Sequence, residues 1–191
     1  MSGFVPEDFV VPRELVAGGF RLEPLGPQHN EGDYRAWMSS IEHIRSTPGF
    51  QGRSWPREMT LAENLADLEA HAKDFAARSG FTYTVLAEDG GEIVGCVYIY
   101  PAADGRDTVG AGEEDAAEVG DRDTAEVGDR DTAEVGDRDT AEVGDGDAAG
   151  GAEVRSWVRA DRGDLDVPLY EAVAAWLREG WPFAAIAYAP R

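Results

Sequence analysis

A chain of 191 residues with 42% hydrophobic side chains has room for one domain with an ordinary core, and a formal charge of −21 argues against polyanionic partners. Of its 38 acidic residues, 17 fall between residues 103 and 150 beside only four arginines, and no basic stripe suited to a nucleic-acid backbone occurs anywhere. One cysteine, Cys96, excludes an internal disulfide and fits a reducing, cytoplasmic setting, and no apolar run is long enough to cross a bilayer. The first residues show neither a basic n-region nor an apolar h-region, so no signal peptide is expected.

Residues 1–18, with Pro6 and Pro12, read as an irregular arm ahead of a single domain over residues 19–191. Residues 20–25 alternate as a first strand. Tyr34, Trp37, Met38, Ile41 and Ile44 then recur at three- and four-residue steps, which predicts one helix with an apolar core face. A connection rich in Pro and Gly follows over residues 47–56. Thr60-Leu61-Ala62-Glu63 is a capping box that opens a second helix, with Leu61, Leu65, Leu68, Ala72 and Phe75 on its inner face. Residues 81–87 and 92–100 read as strands joined by an Asp89-Gly90-Gly91 turn, a β-hairpin. Cys96 lies inside the second apolar run and reads as core packing, with no activating charge around it.

The octapeptide Ala117-Glu118-Val119-Gly120-Asp121-Arg122-Asp123-Thr124 recurs from Ala125 and from Ala133, and a decayed copy begins at Ala141. One valine per unit offers little to bury, so residues 103–150 are expected to be a disordered acidic insertion. Calcium at the Asp-Arg-Asp triplets is disfavoured, because each intervening arginine opposes a cation and no EF-hand loop is present. No metal site is expected.

Beyond the insertion, residues 153–160 read as a strand. Val154 followed by the adjacent Trp157 and Val158 breaks its alternation and suggests a β-bulge. Residues 167–179 form a helix with Leu169, Val173, Trp176 and Leu177 inward and Gly180 as its stop signal, and residues 183–188 form a last strand. The order is β-α-α-β-β-(insert)-β-α-β. It describes an α/β (α+β) domain with a mixed, mostly antiparallel sheet flanked by helices.

That order resembles the front two-thirds of the GNAT N-acetyltransferase fold. Arg21-Leu22-Glu23-Pro24-Leu25, followed by the Tyr34-Arg35-Ala36-Trp37 helix, is similar to the opening of the branch that acetylates ribosomal-protein N-termini and small amines. Ala152-Glu153-Val154-Arg155-Ser156-Trp157-Val158 is similar to that branch's fourth strand. Arg159-Ala160-Asp161-Arg162-Gly163 stands where the family has its acetyl-CoA loop. The resemblance implies acetyl-CoA as co-substrate. The backbone of Trp157 and Val158 would meet its pantetheine arm, and Arg162 and Gly163 would meet its pyrophosphate. Leu165 and Val167 stand where the family has small residues, and Asp164 and Asp166 add charge beside an anion or cap the helix.

For a general base the resemblance points first to Glu153, with Glu42 and His43 at the end of the first helix as further candidates. His29 and His71 show no partner pattern in the sequence, and Arg53 and Trp55 stand in the connection that would line the acceptor pocket. Family members continue into another helix and two strands. A chain ending here would expose a sheet edge, which suggests a homodimer. The implied activity is acetyl transfer to a small-molecule or peptide amine, and the alternative is a non-catalytic GNAT-like binding module.

Overall fold

The computed structural model describes residues 3–88, 91–102 and 150–191. The octapeptide repeat and most of the turn after residue 88 lie outside the described residues. Six strands form one sheet in sequence order: β1 (Leu15–Ala17), β2 (Phe20–Pro24), β3 (Phe81–Ala87), β4 (Ile93–Pro101), β5 (Ala152–Val158) and β6 (Ile186–Tyr188). All neighbours pair antiparallel except β5 and β6, which run parallel around a crossover helix, α4 (Asp166–Gly180). Helices α1 (Asn30–Met38), α2 (Ile41–Ser46) and α3 (Leu61–Ala77) lie between β2 and β3.

Each sheet face has its own core. One packs Phe20, Leu22, Phe81, Tyr83, Val85, Val154 and Val158 against Leu169, Val173 and Leu177 of α4. The other packs Cys96 and Trp157 against Ala36, Trp37, Ile44, Phe50 and Leu68. Adjacent Trp157 and Val158 are both fully buried because they point to opposite cores. No bulge is needed: β4 and β5 keep one register from Pro101↔Ala152 to Gly95↔Val158, and the register shift lies between Val85 and Leu86 of β3 instead.

Three other expectations are corrected. Within the segment read as an irregular arm, Leu15–Ala17 forms β1, because the Gly18-Gly19 turn, with Gly19 at φ +89, folds it back on β2. The rest of that arm is bolted to the domain, with Arg78 donating to the carbonyls of Pro6 and Phe9 at 2.6 and 2.9 Å. The single helix expected over residues 34–44 is two, broken at Ser39-Ser40. There the Ser39 hydroxyl donates to Ala36 O at 2.9 Å, and the Ser40 hydroxyl accepts the N–H of Ala160 at 3.0 Å. On α3 the capping box forms as read, but Leu61 is 40% exposed and the buried positions are Asn64 and Leu68.

Candidate functional site

Two regions of the sheet combine polar chemistry with partial burial. The first is a fork. β6 pairs with β5 from Ala152↔Ile186 to Val154↔Tyr188 and no further, while β5 continues beside β4 to Val158. Ala152 donates its N–H to Ala185 O at 2.8 Å, so the alternation of main-chain groups turns Val154, Ser156 and Val158 toward the same edge. Past Val154 that edge is open to the fork at Ser156 and Val158. Trp157 has the opposite parity and turns its backbone toward β4, as Arg159 does in donating to Val94 O at 2.8 Å.

Arg191 fills the fork. Its Nη2 donates to Ser156 O at 2.7 Å and to Ser156 Oγ at 2.9 Å, and its Nε donates to Asp166 Oδ1 at 2.8 Å. The guanidinium carbon lies 5.8 Å from the ring centres of both Tyr170 and Tyr188, and the side chain is only 3% exposed. Tyr188 Oη sits 2.5 Å from Ser156 Oγ, and burial pushes its pKa up to about 12.

The loop at the head of α4 is a 3-10 turn, Ala160–Leu165. Two of its main-chain donors are used, Arg162 N–H reaching Arg159 O at 2.9 Å and Asp166 N–H reaching Gly163 O, and Pro168 has no N–H. Leu165 is buried in the α4 core and does not cover the loop, whereas Val167 is 49% exposed. Arg162 Nε lies 3.7 Å from Asp164 Oδ1, and Asp166 is held by Arg191. A Cβ on Gly163 would meet nothing within 4 Å, so packing does not require glycine there. With the Asp164 and Asp166 carboxylates at its end, the loop is a poor match for a diphosphate.

The second region is the sheet face under α3. The pairs Tyr98↔Arg155 and Tyr100↔Glu153 set four polar side chains side by side on β4 and β5. Glu153 Oε1 accepts from Arg53 Nη2 at 2.6 Å and lies 3.5 Å from Arg155 Nε, so two guanidiniums share one carboxylate oxygen. The Trp55 ring packs among Trp37, Phe50, Tyr98 and Trp157 and closes the core there.

On the same face Tyr100 Oη donates to Asp74 Oδ2 at 2.9 Å and lies 2.9 Å from His71 Nδ1. With its only proton given to Asp74, the phenol accepts from His71, which fixes the Nδ1–H tautomer. Thr82 Oγ1 is 3.2 Å from the same nitrogen. His71 Nε2 is left with its lone pair and no protein partner among the described residues. Burial, partly offset by Asp74 and reinforced by Arg155, pulls the imidazole pKa down to about 4, so it is neutral at pH 7.

The residues expected to act together are divided among these regions. Glu153 stands on the α3 face. Glu42 is 87% exposed on α2 and pairs with Arg45 at 3.1 Å, while His43 has a buried Nε2 without a hydrogen-bond partner. Trp157, Val158, Arg162 and Gly163 belong to β5 and its following loop, with Ser156 taking Trp157's place at the open edge. His71, which has no role assigned from the sequence, is a further candidate here. The available signal was the His71/Asp74 spacing of one helical turn, on the face that α3 turns to the sheet.

No protein-family model matches the chain, and no curated protein matches it. Among solved structures it is similar to a ribosomal-protein-S5-alanine acetyltransferase from Vibrio fischeri, with a TM-score of 0.50 at 9% identity over 86% of this chain. It spans 66% of that protein's length, just under two thirds. The GNAT domain of S. lividans PAT gives a TM-score of 0.48 at 18% identity, covering 90% of this chain and 76% of that one. The first likeness shows the fold, which is that of the GNAT acetyltransferases.

Proposed function

We propose that this chain, folded as a GNAT acetyltransferase, transfers an acetyl group from acetyl-CoA to a small-molecule or peptide amine. The observation that carries the reading is the fork, where β6 leaves β5 after Val154↔Tyr188 and the main chain of Ser156 and Val158, still beside β4, turns to an edge that no strand covers. Such an edge accepts an extended amide chain as an added strand. When bound, acetyl-CoA supplies the activated acyl group. The chain's own contribution lies on the acceptor side. As the amine nitrogen bonds to the acetyl carbon and the C–S bond breaks, His71 Nε2 takes the proton that the nitrogen loses and the sulfur departs as thiolate, protonated by solvent; Asp74, acting through Tyr100, holds the ring in the required tautomer and stabilises the charge it gains. Glu153 clasps Arg53 and Arg155.

The second reading, a binding module without catalysis, is favoured by Arg191 in the fork and by the poor fit of the loop to a diphosphate. Free-thiol release from acetyl-CoA, measured with and without a panel of small amines, separates the two. The transferase reading expects amine-dependent release that disappears in His71→Gln. Absence of release at every amine tested leaves the module.

A further inference from the structure

Resting on the transferase reading, we propose that Arg155, backed by Arg53, is a carboxylate-binding subsite, so that the acceptor is an amine that carries a carboxylate. Arg155 is clamped along its length. Its Cγ would lie 3.3 Å from a Cβ on Gly49, a position at φ +91 that favours glycine, and its guanidinium carbon lies 5.9 Å from the ring centres of Phe50 and Tyr98. Nothing comparable satisfies its tip. Its one ion pair runs from Nε to Glu153 at 3.5 Å, and Nη1 and Nη2 have no hydrogen-bond partner among the described residues. A clamped arginine side chain, 24% exposed and with both terminal nitrogens unpartnered among the described residues, presents the planar pair of donors that a carboxylate matches.

The local charge agrees. Arg53 and Arg155 carry two positive charges against the one of Glu153, and Arg53 is tied back by Nε to Gly49 O at 2.9 Å. Burial and then the charge of Arg53 lower the Arg155 pKa, so an incoming anion relieves an existing strain on the pair. Arg155 is also felt by His71, which faces it across Tyr98 with Asp74 and Tyr100 behind. Neutralising Arg155 with a bound carboxylate raises the basicity of the proposed proton acceptor.

The test uses glycylglycine and its C-terminal amide, titrated into the full chain without acetyl-CoA and followed by the Nε–Hε resonances of Arg53 and Arg155, whichever of them the variant retains. Glycylglycine should perturb those resonances saturably, and the amide should need at least about tenfold more, or ~1.4 kcal/mol. Arg155→Lys, which keeps charge but not planarity, should lose a similar factor, and Arg53→Gln should lose less. Equal response to both probes, no response to either, or tighter binding of inorganic phosphate than of glycylglycine would each overturn the proposal. Because no acyl donor is present, a chain that transfers nothing can still discriminate the probes, and an active transferase can still fail to do so.

Discussion

Arg191 donates to the carbonyl of Ser156 at 2.7 Å, in the gap that opens where β6 turns away from β5. A side chain thereby completes the main-chain edge, and the arrangement carries a cost when disturbed. Removing the guanidinium leaves Asp166 without its 2.8 Å partner and Ser156 O without a donor. Arg191→Met should therefore lower stability by about 3 kcal/mol in urea unfolding, and adding Asp166→Asn should restore part of that loss. Equal stability of the wild type and Arg191→Met would mean that the contact is dispensable.

A second expectation concerns pH. Asp33 is buried, and burial raises its pKa to about 6 despite a hydrogen bond from Asn64 at 3.1 Å. Between about pH 4 and 6 the folded chain holds this proton more tightly than the unfolded one, so Asp33 makes stability fall as pH rises. His71, with its pKa lowered to about 4, works oppositely: its contribution is complete above about pH 6.5 and is lost on acidification. The two slopes largely cancel. Asp33→Asn, which keeps an acceptor for Asn64, should raise stability at pH 7 by on the order of 1–3 kcal/mol and expose the acid loss due to His71. A lower melting temperature at pH 7 would refute this.

If His71 accepts the amine proton, His71→Gln should lower kcat by about 100-fold or more, with KM little changed. Tyr100→Phe removes the acceptor that fixes the tautomer and should cost less, about tenfold. Glu153→Gln should act mainly on KM, through its two arginines. A larger kcat loss in Glu153→Gln than in His71→Gln would return the base to Glu153.

The strands flanking the repeat pair directly, from Pro101↔Ala152 onward, with Ala102 N–H donating to Gly151 O at 2.8 Å. Their ends are already at hairpin distance, and lengthening a connection from a few residues to about 50 costs only about 2 kcal/mol of closure entropy. Replacing residues 103–149 with a short Gly-Asn turn should leave the melting temperature unchanged or slightly higher. A marked fall would assign the repeat a role in stability.

Much of the architecture was legible because period and punctuation agree: alternation at residues 81–87, the Thr60–Glu63 box and the α4 stripe each specify an element locally. What escaped was decided by distant partners. The break after Met38 depends on serine hydroxyls, one of them engaged with Ala160, and neither leaves a trace in the apolar spacing. The burial of both Trp157 and Val158 needs helices on both faces, which a single strand cannot report. At the candidate site, Glu153 and Arg53 stand out in the sequence, whereas His71 carries only its one-turn spacing to Asp74 there and meets Tyr100 through folding.

The most direct test of the account is calorimetric titration of acetyl-CoA into the unaltered chain and into Arg191→Ala/Asp166→Asn. The account predicts weak binding to the unaltered chain, because a buried guanidinium holds the fork and the Asp164 and Asp166 carboxylates stand at the loop that would meet the diphosphate. The double variant, with the fork cleared and one opposing carboxylate neutralised, should bind at least about tenfold more tightly, a gain of ~1.4 kcal/mol. No detectable binding by either protein would contradict the account and leave the fork as a structural feature of a non-catalytic domain.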